Sequence, residues 1–537
     1  MTNMDGKEHN KPKGARLACF DLIRVFACVC VVMTHFNAKI SDNFLYNNHI
    51  VPNFYFEGRV GLGAIGVSLF FMLSGATQML TYREGNLIEY YKKRFLNLFP
   101  LFWMAYLIAT IVDFLCYKWV NLSNPSLFFY TLAGVDGYLC GRGFIGFEYY
   151  KLGEWFLGCI LLIYAVFPVL YIGIKKRPVL TAAIALAIFT FFEIKANIGS
   201  YTVTEMTFYL RIPEILFGMF LVKHKLWEGK KPIGLFFSSI CLFALMWFVR
   251  GKISGLTMTI TFCLILFSGL VLLSRVIKNE KWKHSLSTIG GITYAVFLVH
   301  HWLIAKIVAG FDLKTLSKGQ TVMMFISYLA ITLFLAWLLK RYGGKITEII
   351  LDLIPARGIK VLALIIFLGV VILPVNAAVN HVRRASVEIE NAEAQEEMST
   401  NMAIPDDMKL SIVSYDGPAK YMSLDIFANE LAGQGSVSIA SNKETCYVEG
   451  WAADPLAGGV ASSVFIQVGN EYYATEYGKA RPEVAEVYGS KAYLNSGYIV
   501  VLNADEVRKA GSVVVHVISA DRTYRYAPIT YTVNSGS

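Results

Sequence analysis

Long apolar runs separated by short polar connectors occupy the first 380 residues. Runs of about 17–22 residues have the length needed to cross a bilayer as helices. Eleven stand at roughly 17–36, 61–80, 98–117, 153–174, 178–194, 206–222, 232–249, 254–274, 288–308, 321–339 and 359–378. The runs at 178–194 and 206–222 are the least regular, being short or holding Glu193 and Arg211. The pattern predicts a mainly α, polytopic membrane bundle of about eleven spans.

After Asn376 the pattern changes. Residues 381–407 are polar and Glu-rich, with Glu388, Glu390, Glu393, Glu396 and Glu397, and read as a stalk with helix among its options. From Met408 onward, apolar and polar residues alternate as in strands. Ser462–Gly478 alternates around a Gly469-Asn470 turn, a hairpin signal. Cys446–Ala452, Tyr498–Leu502, Ser512–Ser519 and Tyr524–Val533 are further strand candidates, and Pro482–Tyr488 is a candidate short helix. Regular strand spacing predicts a small all-β, sandwich-like domain. The chain thus divides into a tail (1–16), a membrane body of about ten spans (17–345), a connector with the last span (346–380), the stalk (381–407) and the β-domain (408–537).

Composition agrees. Mean hydropathy is +0.49 and charged residues make up 16%, against about 25% in soluble domains. The net charge of +10 does not point to nucleic acid, because the basic residues sit between the apolar runs. One alternate set of connectors holds Arg83, Lys92, Lys93 and Arg94; Lys175, Lys176 and Arg177; Lys223, Lys225, Lys230 and Lys231; Arg275, Lys278, Lys281 and Lys283; and Lys340, Arg341 and Lys345. The other set is sparse. Basic connectors stay in the cytoplasm, so the N-terminus is expected inside a plasma membrane and the β-domain outside it. Met1–Arg16 is basic, and the run after it is too long for a signal peptide; it reads as a retained anchor. Most of the nine cysteines lie in spans, Cys446 alone lies in the β-domain, and no zinc spacing occurs. A contact between Cys116 and Cys140 on the outer face is a further speculation.

Candidate chemistry therefore lies in the spans. The first, LACFDLIRVFACVCVVMTHF, holds Asp21, Arg24 and His35. Arg24 and His35 are eleven residues apart, about three turns plus 20°, so they share one helix face roughly 16 Å apart. Ionisable residues in spans are costly and face a cavity or a partner. The plainer reading is an Asp21–Arg24 pair at one surface and His35 at the other. Ser74-Gly75 ends Phe70–Gly75, where small residues also serve helix packing. Arg94 precedes the Phe99-Pro100 entry to the third run, Glu154 precedes Trp155, Arg211 and Glu214 flank Pro213, and Tyr294, His300 and His301 share one run. Each has a structural reading as an anchor, an ion pair or a helix bridge.

Taken in order, these pieces resemble the acyltransferase-3 family of membrane O-acyltransferases. Arg24 and His35 match its Arg-x10-His pattern, Phe70–Gly75 its FFxLSG element, and Arg94–Pro100 its RFLRIYP-like entry. Arg211–Met219 resembles its RxPEFLxGM-like stretch and Tyr294–His300 its SYxxYLxH-like element. The resemblance departs at Asn97, where relatives often carry a second Arg. It also departs after the spans, where no Gly-Asp-Ser nucleophile block of an SGNH hydrolase occurs, and the β-domain, with its YVEGWAAD segment, looks more like a binding or spacing module.

The resemblance implies transfer of an acyl group, expected to be acetyl, from cytoplasmic acyl-CoA as co-substrate to a glycan hydroxyl at the cell surface. No bound cofactor or metal is implied. An imidazole suits general-base work near neutral pH, which gives His35 that role. Arg24 would hold the donor, Asp21 would orient Arg24, and Arg94, Ser74, Glu154, Arg211, Glu214, Tyr294 and His300 would line the substrates. Two ways across the bilayer stay open: direct reach of the thioester through a cavity, or a covalent acyl-His relay. Intramembrane Arg, His and Glu also suit a transporter, and the outer domain suits a wall-binding scaffold. His35 discriminates among these, since only the transferase needs it for an ester product.

Overall fold

A computed structural model describes residues 17–41, 55–56, 60–117, 128–142, 144–145, 152, 155–196, 206–250, 253–308, 310–393, 399–415, 421–428, 430–432, 436–440, 443–481, 484–485, 488 and 490–536. The tail 1–16, Glu154 and the Cys116 side chain lie outside these, as do parts of the stalk and of the 482–488 segment.

The apolar runs form helices: α1 (Ala18–Ser41), α2 (Leu62–Thr81), α3 (Leu87–Tyr117), the short α4 (Phe128–Leu132) and α5 (Asp136–Gly141), α6 (Trp155–Lys176), α7 (Pro178–Ala196), α8 (Ile212–Lys223), α9 (Lys231–Phe248), α10 (Gly255–Val276), α11 (Glu280–Val308), α12 (Lys318–Leu338), α13 (Gly344–Asp352) and α14 (Ala356–Glu393). Among the described residues nine are long and apolar enough to cross a membrane, so this is a multi-pass membrane protein. The two expected spans outside that set are the least regular ones. The run at 178–194 gives a shorter apolar helix. The run at 206–222 breaks into a 3₁₀ turn, Phe208–Arg211, and α8. Pro213 explains the break: it sits at the first positions of α8, where its missing amide costs nothing. Twelve residues rise only about 18 Å, short of the roughly 30 Å hydrocarbon core.

Burial separates two faces of the bundle. Exposed Val179, Ile184, Phe191, Phe237 and Leu245 make an outer surface suited to lipid. Phe71, Phe95, Phe99, Phe167 and Phe267 fill the interior. Helix α14 continues from its apolar span to Glu393. The first part of the expected stalk is therefore helical.

The C-terminal region forms two sheets around one core. The first runs Asn401–Met402, Glu471–Ala474, Ser463–Val468, Ser512–Ile518, Tyr524–Tyr526, Ser411–Val413, with Ile529–Gly536 also on Ser512–Ile518 and Ser436–Ala440 parallel to it. The second runs Glu476–Lys479, Gly497–Asn503, Thr445–Asp454, Met422–Phe427, Glu430–Leu431. Val464, Ile466, Val513, Val515 and Val517 of the first sheet meet Leu424, Val448, Tyr498 and Val500 of the second in one cluster, the alternation of a sandwich. The expected hairpin forms, with Val468 opposite Glu471 and Gly469 at φ +58°, a backbone glycine tolerates. The expected strand Tyr524–Val533 is instead two strands, parted at Ala527-Pro528 because proline cannot donate to a ladder. Tyr421 Oη donates to the Ala527 carbonyl at 2.6 Å.

His516 lies on the face of the first sheet opposite that core and is buried. Its Nε2 contacts Gln467 Oε1 at 2.9 Å, and Arg525 Nη1 lies 3.3 Å from its Nδ1. Burial first, and the Arg525 charge second, hold its pKa down at about 4. The unfolded chain takes up this proton near pH 6.5, while the fold refuses it until about pH 4. The stability His516 contributes is thus complete above pH 6.5 and is lost as pH falls through that window. Hydrogen exchange in strand 512–518 of the full chain, corrected for intrinsic rates, should accelerate from pH 6.5 to 4.5. His516→Asn should flatten that dependence; an unchanged slope would contradict the assignment.

Candidate functional site

On α1, residues 24, 28, 31 and 35 follow helical spacing and so form one stripe. Arg24, Cys28, Val31 and His35 all line a cavity of about 550 Å³. Its other walls come from α2 (Val67, Phe70, Ser74), α6 (Trp155, Phe156, Tyr164), Arg211 and α11 (Tyr294, Phe297, His300). Six of the ten expected site residues thus share one cavity: Arg24, His35, Ser74, Arg211, Tyr294 and His300. Asp21, Arg94 and Glu214 do not line it. Glu154 lies outside the described residues.

Those three act one contact away. Asp21 is buried and accepts from Arg24 Nη1 at 2.7 Å. The pair is close as the plainer sequence reading held, yet Arg24 also faces the cavity. Gly290 of α11 packs on Asp21; a Cβ there would lie 3.1 Å from Oδ1. Arg94 stacks its guanidinium over the Tyr90 and Tyr164 rings, 5.7 and 5.8 Å from their centroids. Tyr164 Oη is 2.9 Å from Ser74 Oγ, so Arg94 reaches the cavity wall through Tyr164. Pro168 inside α6 has no amide to offer the Tyr164 carbonyl. Tyr90 Oη donates to that carbonyl at 3.2 Å.

Arg211 and Glu214 are both fully buried, with Nη1 3.1 Å from Oε1. Burying charges is costly unless they are paired and further hydrogen-bonded. Arg211 Nη1 also reaches Ser68 Oγ at 3.4 Å. Its guanidinium lies over Phe71 and Trp155, at 5.3 and 5.8 Å, a favourable cation–π arrangement.

The far end is an imidazole cluster. The His35 ring meets His300 at 5.1 Å and His301 at 4.9 Å, both edge-on. His300 is fully buried, and its Nδ1 lies 3.1 Å from the Val296 carbonyl and 2.8 Å from that of Phe297. Tyr328 Oη donates to the His300 carbonyl at 3.1 Å, and Phe36 stacks on Tyr328. Tyr294 Oη donates to the Leu98 carbonyl at 3.0 Å.

Sequence reasoning missed Tyr164, Cys28 and Phe156, and it noted His301 without giving it a site role. Tyr164 had one signal, a phenol inside an otherwise apolar run. Asn97, noted only as a departure, lines the cavity. Chemically, the chamber has mostly apolar walls, a guanidinium towards the Asp21 end and imidazoles at the other.

A family model described as an acyltransferase domain matches residues 17–341. The chain belongs to the acyltransferase-3 family. The cavity and its helices fall within this acyltransferase match. A curated relative, "Acyltransferase MdmB" of Streptomyces mycarofaciens, is 26% identical over 186 residues, 31% of this chain. The match spans 42% of that relative's length. No solved structure matches.

Two motif glycines hold the walls of this cavity together. A Cβ on Gly75 would press into the Ile215 carbonyl of α8, and one on Gly218 into the Met72 carbonyl of α2, each closer than 3.0 Å. The two helices thus touch backbone to backbone. Gly75→Ala or Gly218→Ala must push them apart, at a cost of about 1–3 kcal/mol. In detergent, both variants should melt below the parent protein. Gly234→Ala, with nothing within 4 Å, should not; equal melting of all three would refute the interlock.

Proposed function

We propose that this protein moves an acyl group, acetyl in the first instance, from acyl-CoA to a hydroxyl of a cell-surface or lipid-linked glycan. The observation that carries the reading is one cavity lined by both Arg24 and His35, roughly 16 Å apart along α1. Family membership and the name of the relative support acyl transfer. The glycan acceptor and the acetyl donor rest on the family resemblance.

Orientation follows from the connectors. Helix α6 ends in Lys175-Lys176-Arg177 and α9 starts at Lys230-Lys231. Nine or eleven crossings therefore leave the same parity, with the N-terminus in the cytoplasm and the β-domain outside. In this frame the Arg24 end faces the cytoplasm and His35 the exterior.

Arg24, its carboxylate partner fixing its geometry, binds phosphate or amide oxygens of the donor arm. His35 takes the proton of the acceptor hydroxyl as the oxygen attacks the thioester carbonyl carbon. The C–S bond breaks, and the proton passes from His35 to the CoA sulfur. Apolar walls keep water from competing for the thioester. A continuous cavity favours direct reach of the thioester over an acyl-His relay.

General-base assistance contributes about 10²–10⁴-fold, so His35→Ala should lower envelope-glycan ester content by at least about 100-fold. Mass spectrometry of those glycans, at matched membrane levels of the two proteins, reads this. Undiminished esters in His35→Ala would overturn the proposal.

A further inference from the structure

We propose that α13 lies along the membrane surface and that Arg341 and Lys345, at its start, hold the headgroup of an anionic phospholipid. Chain geometry sets the helix there. Helix α12 has 21 residues, a rise of about 31 Å, which already crosses the hydrocarbon core. A π-helical turn, Leu339–Gly343, and then α13 follow. The next span, α14, opens at Ala356, with Leu353, Ile354 and Pro355 alone between. Both ends of α13 therefore belong to one membrane face. Standing on end, α13 would climb about 13 Å from that face. Residues 353–354 make a turn, not the extended return this would need. Helices bend at π-turns and at paired small residues, and Gly343-Gly344 stands at this junction.

The exposed side chains fit a bilayer surface. Ile346, Ile349 and Leu353 recur at helical spacing, and all three are exposed. A surface helix with such a stripe rests it at the boundary of headgroups and acyl chains. Residues 340–360 hold five basic side chains, Lys340, Arg341, Lys345, Arg357 and Lys360, against Glu348 and Asp352. Lys340 Nζ is engaged within the bundle, donating to the Gly291 carbonyl of α11. Lys360 lies 3.8 Å from Glu89. Arg341 and Lys345 are exposed and one turn apart.

The Arg341 guanidinium lies over the rings of Trp337 and Tyr342, 5.2 and 5.9 Å from their centroids. Both rings are themselves exposed, as in the aromatic belt at headgroup level. The rings give the guanidinium a cation–π contact but no counter-charge. A lipid phosphate supplies one, with two oxygens for the guanidinium fork. The place is also fixed: a Cβ on Gly343 would meet Leu101 of α3 at 3.4 Å, so the turn is packed on the bundle. Cations and apolar stripe stand side by side, which matches a phosphate joined to acyl chains.

The full-length protein, purified in detergent, is titrated with equal amounts of phosphatidylglycerol and phosphatidylcholine. Native mass spectrometry counts each lipid retained. The parent protein should retain phosphatidylglycerol preferentially. A basic residue near an anionic headgroup contributes about fivefold. Arg341→Gln with Lys345→Gln should therefore lower that preference by roughly 10- to 25-fold. Lys278→Gln with Lys281→Gln removes the same charge from another basic connector and should leave it unchanged. All four side chains are exposed, so both double variants keep the fold. Equal losses in the two would overturn the proposal, since general basic charge would then explain retention. Excess glycerol phosphate should not displace the lipid; displacement would mark a site for soluble phosphate and overturn the membrane assignment.

Discussion

A hydrocarbon core has no water to solvate a charge, so every ionisable group on these helices must find its partner inside the bundle. The arrangement of the site follows from that constraint. Asp21 takes up Arg24, Glu214 takes up Arg211, and aromatic faces cover Arg94 and Arg211. Arg24 and Arg211 still reach the cavity wall from within these pairs, beside His35, Ser74, Tyr294 and His300. Close backbone contact at Gly75 and Gly218 holds two of the walls in register, so the polar pairs keep their geometry without a polar core.

The same constraint explains how much could be read in advance. Spans, hairpin and the shared face of Arg24 and His35 depend on local periodicity, and the structure carries all three. Pro213 and Pro528 broke an expected span and an expected strand. Both breaks were legible in principle, because a missing amide is a property of the residue itself. Tyr164 against Ser74, or His35 against His301, join segments 90 or more residues apart. No periodicity encodes such contacts; they arise when α1 packs on α11 and α2 on α6. Arg94 shows the limit well. Its charge was visible, but its route to the cavity through the Tyr164 ring was not.

Two motifs of the family thus carry mixed duties. Phe70–Gly75 supplies Ser74 to the cavity and Gly75 to the α8 interface. Arg211–Met219 supplies a cavity-lining Arg and the reciprocal Gly218. Packing and chemistry are inseparable at these positions. The β-domain has its own core and its own buried histidine, and the helix that leads toward it continues unbroken from the last span to Glu393.

In the proposed mechanism donor and acceptor meet in the cavity that Arg24 and His35 both line. An electron cryo-microscopy structure with a non-hydrolysable thioether analogue of acetyl-CoA tests it most directly. The pantetheine arm is expected inside the cavity, with its phosphates beyond Arg24 and its sulfur beside His35. An analogue bound outside the cavity, or with its sulfur held at the Asp21 end away from the imidazoles, would contradict it.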